Sequence, residues 1–283
     1  MRESSNPVFR SLPKGQQGGY AQFGTGAAGY GAQAVHADPY TAQPYQDRGT
    51  GVSRPLTIDD VVMKTGMSLG VVVLTGIVSY LLVMGNLGLA MPLTLIGGLG
   101  GFALVMIATF GRKQDNPAIV LSYAALEGLF LGAVSFIIAN LASVGGVGMI
   151  MQAIVGTIGV FFGMLVVYKT GAIRVTPKFT RMIVAALFGV VALMLLNLVL
   201  GLFGVGGGAG LGLRDGSPIA IVFSLVVIAL AAFMFLIDFD SADQMIRAGA
   251  PSKAAWGIAL GLTVTLVWLY LEILRLLSYF NSD

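Results

Sequence analysis

Long apolar runs separated by short polar intervals dominate the chain from about residue 64 onward, whereas the first 60 residues alternate Gly, Gln, Ala and Tyr without a sustained run. An apolar stretch of about 18 or more residues reads as a membrane-crossing helix, because roughly 20 residues rising about 1.5 Å each match a hydrocarbon layer of about 30 Å. The runs predict helices over 64–84, 89–110, 117–141, 149–168, 181–203, 218–237 and 256–280. They are too long and too uniformly apolar for barrel strands, and a helix satisfies its backbone groups within its own segment. Pro117 and Pro218 fall in the first turns of the third and sixth helices, where a missing N–H costs nothing. The pattern therefore predicts an all-α integral membrane protein with seven transmembrane helices over 61–283, behind a tail over 1–60.

Composition agrees: 56% of the 283 residues are hydrophobic, 10% are charged, and the mean hydropathy is +0.87. Ordinary soluble domains carry about 25% charged residues, so this chain lacks the polar surface that a globule in water needs. Its first apolar run begins too late for a cleavable signal peptide, and none is expected.

The basic residues indicate orientation. Arg48, Arg54 and Lys64 precede or open the first helix; Arg112 and Lys113 follow the second; Lys169, Arg174, Lys178 and Arg181 lie between the fourth and fifth; Arg247 and Lys253 lie between the sixth and seventh. The alternate loops, 85–88, 142–148 and 204–217, contain only Arg214. Positive charge on one side predicts a cytoplasmic N-terminus and an outside C-terminus, in a multi-pass protein of a bacterial inner (plasma) membrane. The sequence pI of 9.2 is then a topology signal, and no nucleic-acid partner is expected.

The Gly/Gln/Tyr-rich tail buries too little apolar surface to offset ordering entropy, and is expected to be disordered and cytoplasmic. Up to Met63 it has five basic and five acidic residues, so it is not a polybasic arm. Tyr20, Tyr30, Tyr40 and Tyr45 are candidate contacts for a membrane-protein partner; a solvated linker is the plainer reading.

Cysteine is absent and His36, the single histidine, lies in the tail. Thiol chemistry, disulfides, His/Cys metal or haem sites and a Ser/His dyad inside the membrane are excluded, and no enzyme activity or bound cofactor is expected. The glycine-rich pieces GGLGG at 97–101 and GVGGGAGLG at 204–212 lack the strand-loop-helix setting and the GK[ST] of a phosphate cradle. Close helix packing and a flexible outer loop account for them.

Ionisable groups at membrane depth are costly, which makes them the candidate functional residues. Glu127 lies about ten residues, roughly 15 Å, into the third helix. Asp238, Asp240 and Asp243 end the sixth helix in IDFDSAD, and Glu272 sits in WLYLEILRLLSYF of the seventh, three residues before Arg275. Glu272 and Arg275 share a helical face and can neutralise one another, and the aspartates can be merely interfacial. The functional alternative is proton sensing or cation holding: carboxylates sharing a site titrate together, and calcium favours oxygen ligands. Glu127, Asp243 and Glu272 are the candidate ion contacts.

LYLE at 269–272 followed by LRLL, LIDFD closing the sixth helix, Glu127-Gly128 in the third and the opening SNPVFRSL together resemble the Bax inhibitor (transmembrane Bax inhibitor motif, YccA-like) family, in a bacterial form with a long tail. The resemblance implies a proton-sensitive calcium leak channel, in which an aspartate ending helix six and an aspartate in helix seven form a latch tuned by an arginine of helix two. Matched by position, it implies Asp238, or Asp240, opposite Glu272, with Arg112 as the tuning arginine; the charge of Arg275 is expected to favour ionised Glu272. Glutamate stands here for the family's aspartate, Arg275 replaces a small polar residue, and the segment between Asp238 and Glu272 is long. The alternative function is a non-transporting regulator that binds another membrane protein, such as a quality-control protease, through the tail. The expected partners are thus the lipid bilayer, calcium or protons, and that membrane protein.

Overall fold

The computed structural model describes residues 54–141 and 146–281, which belong to a unit spanning Gly51–Asp283. The expected disordered tail lies outside the described residues as far as position 53, as do its tyrosines, His36 and the SNPVFRSL motif. Among the described residues there are seven α-helices: α1 (Ile58–Gly85), α2 (Ala90–Phe110), α3 (Pro117–Leu141), α4 (Gly146–Thr170), α5 (Pro177–Leu202), α6 (Pro218–Arg247) and α7 (Ala255–Phe280). All seven are long and apolar enough to cross a membrane.

Polar caps lengthen the helices beyond their apolar runs. Thr57 and Asp60 close a reciprocal capping box, so α1 opens at Ile58 and not at 64. Residues 54–60, assigned above to the tail, are accordingly placed against the bundle: Leu56 is buried at 3% exposure among α6 and α7 side chains. Thr176 and Ser217 cap α5 and α6 ahead of Pro177 and Pro218. The largest departure is α6, which continues to Arg247 and not 237. Its polar last turns carry i,i+4 pairs, Asp240 with Gln244 and Asp243 with Arg247, that hydropathy does not register. Asp238 therefore lies nine residues, about 13 Å, from the end of α6, well inside the helix.

α7 is the most buried of the spans and packs on α1, α3, α4 and α6, while α3 holds α1 and α2. Lipid is as apolar as leucine, so close backbone approach must supply the attraction between helices. At Gly128 of α3 an added Cβ would overlap the Val72 carbonyl oxygen and the Thr75 hydroxyl of α1, and at Gly97 of α2 it would lie 2.6 Å from the Leu126 carbonyl oxygen of α3. Ser79 of α1 donates to the Leu129 carbonyl at 2.6 Å, and Ser135 of α3 bonds Tyr270 of α7 at 2.7 Å. The outer faces of α1, α2 and α5 leave large apolar side chains such as Leu74, Phe102 and Phe188 uncovered, as acyl chains require.

Candidate functional site

A cavity of about 410 Å³ lies between the end of α2, the α2–α3 loop, α6 and the first turns of α7. Its polar lining is Thr109, Arg112, Gln114, Asp115, Asp238 and Ser241. Two residues singled out from the sequence, Arg112 and Asp238, thus share one space.

Asp238 faces α7. Thr265 Oγ1 donates to Asp238 Oδ2 at 2.7 Å and shares its proton with the Gly261 carbonyl oxygen at 3.1 Å. Gly261 lines the same cavity one turn earlier; a Cβ there would stand 4.0 Å from Asp238 Oδ1. Small residues on α7 leave the carboxylate open to the cavity.

The other two aspartates of the motif point elsewhere. Asp240 accepts from Gln244 at 2.6 Å, and Asp243 takes Arg247 at 2.7 Å and the Tyr168 hydroxyl of α4 at 3.3 Å. Between Asp238 and Asp240, it is Asp238 that meets the seventh helix.

Glu272 is not its partner. It is buried at 2% exposure, receives Arg275 Nη1 at 2.6 Å from its own helix, and lies 3.6 Å from Arg214 Nη2 of the α5–α6 loop. Seven residues separate Thr265 from Glu272 on α7, an axial offset of about 10 Å. The carboxylate pair expected between α6 and Glu272 is corrected on this ground: the position on α7 facing Asp238 is a threonine, and Glu272 stands two turns further on with two guanidinium partners. The glycine-rich loop makes this possible by folding back: Gly210 adopts φ +65, and the Leu211 N–H donates to Asn197 Oδ1 of α5 at 2.7 Å. This brings Arg214 over α7, where burial pushes its guanidinium below the ordinary pKa.

Arg112 does not end α2 but follows it. It is a non-glycine residue at φ +51, in a Schellman closure where the Lys113 N–H reaches the Ala108 carbonyl at 2.9 Å and its own N–H reaches Thr109 at 3.4 Å. A left-handed arginine costs about 1 kcal/mol of backbone strain, and the closure holds its Cα at the cavity wall.

Glu127 lies half-buried at mid-helix, beside Tyr123, with its Oε2 2.7 Å from where a Gly101 Cβ would be. It does not line the cavity. No group of three or more His, Cys, Asp or Glu side chains suited to a metal occurs among the described residues; the carboxylates lining the cavity are Asp238 and Asp115.

Sequence reasoning missed Thr265, Lys253 and Arg214. The spacing GLTVT, a glycine and a threonine four apart on a buried helix, was the available signal for Thr265. Lys253 Nζ bridges to Asp115 Oδ2 at 3.0 Å and ties the α6–α7 loop to the α2–α3 loop beside the cavity. This ion pair holds the Asp115 carboxyl below its ordinary value, the hydrogen bond from Lys253 being the largest cause.

No curated protein matches the chain closely enough to serve as a relative. The sequence profile of the family described as Bax inhibitor 1 like matches residues 6–282, which takes in every helix, the Asp238 cavity and the Glu272 cluster. The protein is a multi-pass membrane protein of the Bax inhibitor 1 like family.

Proposed function

We propose that the protein is a proton-sensitive calcium leak channel of the Bax inhibitor kind, with Asp238 as the carboxylate at which cations and protons compete. One observation carries this reading: a carboxylate well inside α6, open to a cavity and held by a single neutral donor, Thr265. A leak pathway needs a site attractive enough to admit an ion and weak enough to release it. Asp238 with hydroxyl and carbonyl oxygens nearby, the cavity's other carboxylate, Asp115, being taken by Lys253, satisfies that balance for calcium, which a full oxygen cage would retain.

In this reading the Thr265–Asp238 bond is the closed contact between α6 and α7. A cation in the cavity draws the ionised carboxylate away from Thr265, and a proton on Asp238 removes the charge that attracts the cation. Leak therefore falls as pH falls. Arg112, in the same cavity, competes with the cation for Asp238 and sets how readily it is admitted. Glu272, with Arg214 and Arg275, fixes the far half of α7.

The test is calcium flux into proteoliposomes as a function of pH. Asp238→Asn is expected to abolish the pH dependence, and Glu272→Gln to keep it. A pH dependence that survives in Asp238→Asn and vanishes in Glu272→Gln ends this reading.

A further inference from the structure

The segment just before α1 is stapled to the loop between α6 and α7. The Leu56 N–H donates to the Ala250 carbonyl at 2.8 Å, and the Ser252 N–H donates to the Arg54 carbonyl at 2.9 Å. Pro55 and Pro251 thus face each other as a non-hydrogen-bonded antiparallel pair, the one register in which neither proline is missing a needed N–H. Leu56 plugs into the core between Val61, Ala242 and Ala255. Lys64 Nζ donates to the Ser252 carbonyl at 2.6 Å and lies 5.7 Å from the Trp256 ring centre.

The same short loop borders the cavity. Ala254 of the loop lines it, next to Gly257 and Ile258 in the first turn of α7, and Lys253 reaches across to Asp115 at 3.0 Å. The loop is held from one side by the strap, residues 54–57, and from the other by an exposed ion pair. Exposed pairs contribute little by themselves, so the strap is the stronger restraint.

We propose that residues 54–57 are a strap that keeps the α6–α7 loop in the position that narrows access to the Asp238 cavity, and that release of this strap opens it. For its functional meaning the inference rests on the cavity being the mouth of the proposed pathway. Its physical content is mechanical: α6 and α7 each contribute one partner of the Asp238–Thr265 contact, and the loop joining them is bonded to the root of the N-terminal segment. Anything that draws residues 54–57 away removes two backbone hydrogen bonds, a buried leucine and the registry of the loop together.

The natural chain has no cysteine, so thiol chemistry reads the strap cleanly. Non-hydrogen-bonded antiparallel pairs bring Cα atoms to about 4.5 Å, within the span of a disulfide. In the triple variant Pro55→Cys, Pro251→Cys, Ser241→Cys, the first two positions are oxidised in the membrane and position 241, inside the cavity, is labelled with a charged thiol reagent and followed by peptide mass spectrometry. Labelling of position 241 is expected to be about tenfold slower in the oxidised than in the reduced protein, since a cross-link removes the open population. Equal rates overturn the proposal. Where the cross-link does not form, Leu56→Ser with Ser241→Cys decides: faster labelling than in Ser241→Cys alone supports the strap, and an unchanged rate overturns it. Labelling measures access and not ion flux, so a protein without calcium leak ends the channel reading and leaves this inference standing on its own result.

Discussion

Thr265 and Asp238 join α7 to α6 through one hydroxyl hydrogen bond of 2.7 Å, where the family resemblance implied Glu272 facing Asp238. A neutral donor against one carboxylate replaces the repulsion of two ionised groups with an attraction for which a cation in the cavity competes. Thr265→Val keeps the shape and removes the donor. It is expected to cost roughly 1–3 kcal/mol and to raise the basal leak, while Thr265→Ser restores both. Thermal unfolding in detergent alongside vesicle flux checks this; a valine variant with unchanged leak would show that the contact does not close the pathway.

Glu272 shows how a buried carboxylate can be structural. Its two guanidinium partners come from α7 itself and from a loop almost sixty positions earlier in sequence. Glu272→Gln leaves Arg275 without its charge partner and is expected to destabilise by roughly 3–5 kcal/mol. Arg214→Gln, at 3.6 Å and with 38% of its side chain exposed, is expected to cost about 1 kcal/mol or less. Denaturation midpoints that place the two variants level would mean that the charge of Glu272 is not what holds this corner.

The Asp115–Lys253 pair has a signed acid signature. Its carboxyl lies below the ordinary value of 3.8, so its stabilisation is complete above that value and is lost as pH falls through the lowered native value. Lys253→Gln is expected to lower the melting temperature slightly near neutrality, where the pair is intact, and to converge on the parent as pH falls through the native value, and high salt is expected to mimic it. A difference between variant and parent that stays constant from neutrality down into acid would remove Asp115 from the account.

Helix contacts predict a contrast between two glycines. A Cβ at Gly128 meets the α1 backbone, which has no rotamer by which to yield, whereas a Cβ at Gly159 of α4 meets nothing within 4 Å. Gly128→Ala is expected to destabilise by at least about 1–3 kcal/mol, and Gly159→Ala to be neutral or slightly stabilising through helix propensity. Detergent thermal shifts of the pair distinguish this from a general sensitivity of the bundle to alanine.

Several features were legible in the sequence because they depend on neighbours along the chain. The apolar runs located all seven spans, and Pro117 and Pro218 sit where helices three and six open. Span ends were misplaced where charged residues continue a helix: Asp59 and Asp60 belong to α1, and Asp240, Asp243 and Arg247 to α6. A hydropathy sum counts those groups as departures from the membrane, while capping and i,i+4 pairing make them helical. Asp238 was found as a candidate because charges at membrane depth are conspicuous, and Arg112 through the family resemblance. Thr265 was not, because a threonine in a membrane helix costs little and its role depends on what faces it.

By itself the sequence determined the solvent of this protein, the number of its crossings and the short roster of side chains expensive enough to need partners, since burial in hydrocarbon is a local and additive requirement. Which of those side chains meet was decided by the tertiary structure alone. Axial offset, helix rotation and the fold of the α5–α6 loop gave Asp238 a threonine and Glu272 two arginines, and these quantities are set by close contacts between residues remote in sequence.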